Sequence, residues 1–373
     1  MCSRTFKYRL YPNRKQREIL SAHLDMCREL YNAALQERIE SYKTTRKGVT
    51  WLQQQAQLPA IKECRPEFKT VHAHTLQAVL IRLNRSFQNF FRRVKRGETP
   101  GFPRFKGRNR FNSLVFTPTA FKVQGDRVQI SKVGSIKIKM HRPLPENHGT
   151  LFLKQICGAW YACFSCEVAP QPYPKSTEEI GIDVGLESFA VLSDGTTIEN
   201  PRLYQVAQAK LRKAQRRVAR RVKGSHRRRK AVAILRKIHE HVSNQRKDFQ
   251  HKLSTALVQK YGVIAVEDLN VKGLAGGMLA KSVHDAGWSG FLSMLAYKAE
   301  SAGRKLFAVD PRGTSQTCVC GAKVPKRLSD REHVCTACGL IASRDHVSAQ
   351  VILQRARTVP SNANVGEVMP CVV

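Results

Sequence analysis

Apolar positions alternate with polar ones from Thr5 to Leu10, which predicts an opening strand, and the period then changes. Between Gln16 and about Tyr42, Ile19, His23, Met26, Leu30 and Ala34 recur at helical spacing. A second helical stretch runs from about His72 to Arg96, with Leu76, Val79, Leu80, Leu83, Phe87 and Phe90 on its apolar face. A helical insert after a first strand is the expectation. From Gly97 the run GETPGFPRFKGRNRFNS breaks the periodicity, and the short alternating runs RVQIS, SIKIKM, LFLKQI and WYACFSCEV predict a strand-rich, barrel-like module. PQPYPKSTEE at 170–179 is composed like a linker.

Beyond it, Glu179 to Val184 and Phe189 to Leu192 predict two apolar strands, with a turn at Asp194-Gly195. A basic helical region follows from about Leu203 to Lys260, with a break expected at Gly224-Ser225. Its apolar stripe passes through Ala207, Leu211, Ala214, Val218 and Val222, and residues 210–230 hold twelve Lys or Arg and no acid. A solvated helix face mixes signs, so this face is assigned to nucleic-acid backbone contacts through Arg216, Arg217, Arg220, Arg221, Arg227, Arg228 and Arg229.

The whole chain shares that bias. Its 64 Lys+Arg against 28 Asp+Glu leave a formal charge of +36, which argues for a polyanion partner. A ribosomal or histone-like binder would share the charge, but not the apolar strands that end in isolated carboxylates. At 373 residues the chain has room for two to four modules. It contains no apolar run of about 18 residues, and MCSRTFKYRLYPN carries charges where a signal peptide needs its apolar core. A cytoplasmic or nucleoid-associated protein with no membrane partner is expected.

Three acidic islands stand out of this basic background: Asp183 in IGIDVGLESFAVLSDG, Glu267 in VIAVEDLN and Asp345 in SRDHVSA. Asp183 has Gly181 and Gly185 beside it, which leave room for a metal or a phosphate to approach. Strand alternation puts Glu267 and Asp268 on opposite faces, so one of the two can join Asp183. Asp345 opens a helical segment, where a capping role competes with a ligand role, and Asp310 at the end of KLFAVD is its rival. Three carboxylates of this kind suit two Mg²⁺ ions, hard cations that stabilise attacking and leaving oxygens in phosphodiester cleavage.

Four of the eleven cysteines cluster, as Cys318-x-Cys320 and Cys335-x2-Cys338, and such pairs are the mark of a ribbon holding one structural Zn²⁺. The first pair is one residue short of the usual spacing, and His333 is a conceivable substitute ligand. Cys163 and Cys166 have no partner pair and read as strand packing, which leaves reducing conditions as the better reading over a disulfide framework.

GFPRFKGR, RFNS, IGIDVGLESFAVLSDG, NQRKDFQHKLST, VEDLNVKGL, DAGWSGFLSMLAYKAE, TSQTC and RDHVSA, taken together, resemble the TnpB (OrfB) proteins of insertion sequences, relatives of the compact type V CRISPR nucleases. The resemblance runs from about residue 4 to 355. It implies an RNA-guided DNA endonuclease with a multidomain α/β fold. An RNase H-like RuvC nuclease domain would carry an inserted zinc ribbon, preceded by a β-barrel-like wedge module with a helical recognition insert. The implied boundaries are 1–12 and 97–170 for the wedge, 13–96 for the insert, 171–310 for the first part of RuvC, 311–342 for the ribbon, 343–357 for the last RuvC helix and 358–373 for a disordered tail. Asp183, Glu267 and Asp345 match the family's catalytic carboxylates, which selects Glu267 over Asp268 and Asp345 over Asp310. The implied partners are a guide RNA transcribed from the transposon end and a double-stranded DNA target beside a short adjacent motif. The chain departs from the family at Val347, where Asn is usual. A guide-bound regulator with little nuclease activity is the alternative, and a DDE-type transposase is disfavoured because its Glu normally comes last.

Overall fold

The computed structural model describes residues 2–108, 110–327 and 330–358. The chain divides into two compact units, one up to Val168 and one from Ala169 onward. In the first, β1 (Cys2–Tyr11) is followed by α1 (Arg14–Thr45), α2 (Trp51–Ala56), α3 (Leu58–Cys64) and α4 (Ala73–Lys95). Six strands then come in succession: β2 (Ser113–Phe116), β3 (Phe121–Gln124), β4 (Arg127–Ile130), β5 (Gly134–Lys139), β6 (His148–Ile156) and β7 (Ala159–Val168).

These make one antiparallel sheet in the order β2-β6-β7-β1-β5-β4-β3, nearly closed like a barrel. The curl is visible in the interior, where Phe121 of edge strand β3 lies 5.6 Å from the ring of Phe164 on β7 and 5.9 Å from His148 on β6. Alternation puts Tyr8, Leu10, Ile136, Ile138, Leu151, Leu153 and Phe164 inside. Helix α1 starts from a capping box, in which Asn13 accepts from the backbone of Gln16 and Gln16 accepts from the backbone of Asn13. Its apolar face buries Leu20, His23, Leu24, Cys27, Leu30 and Leu35. His23 therefore sits in the core, where burial lowers its pKa to about 4 and keeps the ring neutral.

The second unit begins with an extended stretch of linker-like composition that is pinned rather than free. Arg304 donates to the Pro174 carbonyl at 2.8 Å, Tyr173 donates to Ala302, and Ser176 donates to the Lys260 carbonyl at 2.8 Å. Then come β8 (Glu179–Val184), β9 (Ser188–Leu192), β10 (Thr197–Glu199), α5 (Leu203–Ala219), α6 (His226–Lys260), β11 (Val263–Glu267) and α7 (Val271–Leu274). The remainder is α8 (Ala280–Ala286), α9 (Trp288–Ser301), β12 (Lys305–Val309), β13 (Glu332–Val334), β14 (Ile341–Ser343) and α10 (Arg344–Thr358).

Five strands form a mixed sheet in the order β10-β9-β8-β11-β12, in which β8, β11 and β12 run parallel. One face packs Ile180, Ile182, Phe189, Ile264 and Val266 against α6 and α9. The other packs Ala265 and Val309 against Ile352, Leu353 and Ala356 of α10. Contact with α10 is close enough to require Gly181, since a Cβ there would lie 2.0 Å from the Ala349 carbonyl oxygen.

The basic region is two helices, broken close to the expected Gly224-Ser225: α5 ends at Ala219 and α6 restarts after Ser225, whose side chain accepts from the Arg228 amide. Leu211 and Ala214 are buried, whereas Val222 lies past the helix end and is 77 % exposed, so it leaves the apolar stripe assigned to it. Helix α10 extends through Thr358, and the tail expected from there falls, over 359–373, outside the described residues. Among the described residues no helix is long and apolar enough to cross a membrane.

Candidate active site and cysteine cluster

The alternation that buries Ile180 and Ile182 against α6 and α9 turns Gly181 toward α10, and two residues on it turns Asp183 the same way. Gly181 pairs with Ala265 on β11, so Glu267, two residues after Ala265, shares that face. Asp345 lies in the first turn of the helix covering that face. Three segments far apart in the chain thus deliver their carboxylates to one side of one sheet.

Asp183 feels the other two. Burial pushes the Asp183 carboxyl well above the usual carboxylate range, Glu267 and Asp345 push it further, and Arg344 opposes them. Burial also raises Glu267, against the Thr314 hydroxyl and the Arg355 charge. Thr314 is buried and its Oγ1 donates to Glu267 Oε1 at 2.5 Å, which fixes one carboxylate oxygen. Asp345 Oδ1 accepts from Arg344 Nε at 3.0 Å. Partly buried, mutually repelling hard oxygens are a donor set that suits a divalent cation such as Mg²⁺.

The rivals lie elsewhere. Asp268 is exposed and its backbone amide donates to the Val309 carbonyl. Asp310 accepts from the Arg312 amide at 3.0 Å, a local turn contact, and its carbonyl is held by Arg355. Val347 is buried among the α10 core residues.

Cys318, Cys320, Cys335 and Cys338 have all four sulfur atoms within 4.8 Å of one another. Cys318 and Cys338 lie 3.6 Å apart and Cys320 and Cys335 3.7 Å apart, close to the roughly 3.8 Å that a tetrahedral ion with bonds of about 2.3 Å requires. The short arm reaches this geometry by a tighter turn. Gly321 donates three residues back to Cys318, whereas Gly339 donates four residues back to Cys335, both with positive φ that glycine tolerates. Backbone amides of Cys338 and Ala337 pull the Cys335 thiol down to about 7, whereas Cys338 is pushed up to about 12 by the thiols around it and Cys318 is raised by burial. His333 is fully buried and lies outside the thiol group, with Nδ1 against Lys326 Nζ.

On the helical hairpin, Arg216, Arg217, Arg220, Arg221, Arg227 and Arg229 are exposed and Arg228 is half-buried. Sequence reasoning missed the residue that anchors this hairpin. Asp285, in DAGW, accepts from the backbone amides of Tyr204 at 2.8 Å and Gln205 at 3.3 Å, at the start of α5, and from Arg246 of α6 at 2.9 Å. It also missed Thr314, which stands in TSQTC with no spacing pattern to single it out.

A family model for the OrfB proteins of the IS605 group, described as "Probable transposase", matches residues 163–277. A "Cas12f1-like, TNB domain" matches 288–352, and the "Helix-turn-helix domain" of the OrfB proteins matches 1–47. A Streptomyces pristinaespiralis protein named "Putative RNA-guided DNA endonuclease" is 35% identical over 94% of this chain and 88% of its own length. The similarly named InsQ of Escherichia coli K12 is 30% identical over 95% of this chain and 92% of its own. The solved structure of the mini-RNA-guided endonuclease CRISPR-Cas_phi3 shares the fold with a TM-score of 0.57 at 8% identity, covering 96% of this chain and 92% of that one. Identity at this level across nearly the whole of both chains places the protein in the TnpB (OrfB) family of insertion-sequence proteins.

Proposed function

We propose that the protein is an RNA-guided DNA endonuclease that cleaves target DNA beside a short adjacent motif, the activity named for its relatives. The observation that carries the reading is the meeting of Asp183, Glu267 and Asp345 on one sheet face, with the Asp183 carboxyl raised by burial and by the other two charges. The sheet with α6 and α9 on one face and α10 on the other is read as an RuvC nuclease domain, the cysteine segment as a zinc ribbon within it, and the nearly closed sheet of the first unit as a wedge carrying α1 to α4 as a recognition insert.

Asp183, Glu267 and Asp345 would hold two Mg²⁺ ions, which when bound activate water and stabilise the leaving oxygen. Thr314 holds the Glu267 carboxylate in one orientation. Arg344, beside Asp345, limits the build-up of negative charge before a cation arrives. The four thiolates would hold one Zn²⁺ as a closed structural site and take no part in cleavage. Sequence choice belongs to pairing between a guide RNA and one DNA strand, while the exposed arginines of α5 and α6 hold phosphates.

The test is to sequence the RNA that copurifies with the protein, rebuild the complex with an altered guide, and assay cleavage with Mg²⁺ and with chelator. Cutting that follows the guide and stops on chelation is expected. Target binding without cutting under any guide would favour a guide-bound regulator, and cleavage of one fixed sequence by RNA-free protein would favour a transposase.

A further inference from the structure

Helix α4 runs out of core before it ends. Leu76, Val79, Leu80 and Leu83 are buried, but Phe87 and Phe90 are half-covered and Phe91 is 60 % exposed. The following loop adds Phe102 and Phe105, 48 % and 51 % exposed. Four of these rings form one cluster: Phe90 meets Phe91 at 5.2 Å and Phe102 at 5.3 Å, and Phe87 meets Phe102 edge-on at 5.6 Å.

Their exposure is built in. Asn32 of α1 donates to the Lys106 carbonyl at 3.0 Å and accepts from the Lys106 amide at 2.7 Å, so the loop is tied to the helices beneath it. Pro103 is buried between the two exposed phenylalanines, and the Arg38 guanidinium lies 5.2 Å over the Phe87 ring. The surroundings are strongly basic: residues 91–110 contain eight Lys or Arg and one acid, Glu98, which Arg96 approaches at 4.0 Å. Among the described residues, Arg92, Arg93, Lys95 and Arg104 have no carboxylate within 4.0 Å.

A partner must therefore offer flat apolar surface and regularly spaced negative charge together. Duplex bases are already stacked on each other, whereas an unpaired strand presents both features. We propose that this aromatic patch stacks the unpaired bases of single-stranded DNA, and, resting on the RNA-guided reading for its source, that the strand is the one displaced when the guide pairs with its target. The guide segment and the target strand are paired with each other at that stage, which leaves the displaced strand as the long unpaired one. Stacking tolerates any sequence, as a programmable enzyme requires.

The test has two arms on the full-length protein. In the guide-loaded complex with target DNA, 5-iodouracil placed in turn in the displaced strand, the target strand or the guide is photocrosslinked and the adducts are mapped. Adducts at Phe91, Phe102 or Phe105 from the displaced strand are expected; adducts there only from guide or target strand, or none there from any strand, overturn the assignment. In the second arm, without guide, an oligodeoxynucleotide of about twenty residues is compared with an abasic strand of equal length. A preference for the strand with bases of about tenfold per stacked base is expected, and Phe91→Ala with Phe102→Ala should remove it without changing the salt slope. Equal binding of both strands by the unsubstituted protein overturns the patch itself. Because this arm needs neither guide nor cleavage, its outcome stands apart from that of the endonuclease reading.

Discussion

The two metal-type sites in the second unit are built in opposite ways. The four thiols come from two turns about fifteen residues apart, and their sulfur atoms already stand at tetrahedral spacing. The three carboxylates come from segments some eighty residues apart in the chain and meet only because β8, β11 and α10 pack together. Local turns can pre-set a closed site whose task is to hold chain together. On the proposed reading, the carboxylate site would have to admit a phosphodiester, and it is held on a sheet face where a cation would relieve its repulsion.

The sharpest way to break the comparison is to remove ligands from each site. Asp183→Ala, Glu267→Ala and Asp345→Ala should each bring DNA cleavage to background while guide-RNA binding persists. Normal cutting by Asp345→Ala, with Asp310→Ala dead, would move the third ligand. Cys335→Ser or Cys338→Ser should instead lower the zinc content from about one per chain toward zero and cost thermal stability. Elemental analysis and a melting curve read this, and a chain that holds no zinc to begin with would remove the structural-site half of the comparison.

A smaller effect is expected at Thr314. Thr314→Val should weaken cleavage about ten- to a hundredfold, the range for a hydrogen bond to a charged group, and Thr314→Ser should restore it. Loss with Ser as severe as with Val would assign Thr314 to packing instead. Weaker again is the hairpin effect: replacing Arg216, Arg217, Arg220 and Arg221 by Ser should flatten the log-log salt dependence of nucleic-acid binding by about one unit per lost phosphate contact. An unchanged slope would return this face to solvent.

The smallest effect concerns stability in the metal-free protein. The Asp183 carboxyl is raised in the folded state, so its contribution is favourable at low pH and is lost as pH rises through the folded value. Asp183→Asn, which cannot ionise, should therefore raise the melting temperature at neutral pH by about 2–4 °C for each kcal/mol of charge burial and repulsion relieved. The gain should shrink on acidification and on adding Mg²⁺. A gain independent of pH would mean that ionisation of this carboxyl does not set it.

Periodicity made the long elements legible. The helical spacing of Leu76, Val79, Leu80 and Leu83 identifies α4, and the alternation around Tyr8 and Leu10 identifies β1. Short helices such as α2, α3 and α8 span too few turns to impose a period, and they escaped notice. The Pro-rich stretch at 170–179 has the composition of a linker, yet Arg304 and Ser176 tie it down, because backbone groups find partners that composition does not reveal.

Local sequence determined the cysteine turns, the basic hairpin and the presence of isolated carboxylates, since each depends on residues a few positions apart. Local sequence left Glu267 and Asp268 as alternatives, and resemblance alone chose between them. Only the tertiary structure decided that Glu267 shares a face with Asp183 while Asp268 is exposed, that Asp285 anchors α5, and that Thr314 holds Glu267. The reason is physical: strand pairing and helix packing set which side chains meet, and those contacts span dozens of residues that no local period encodes.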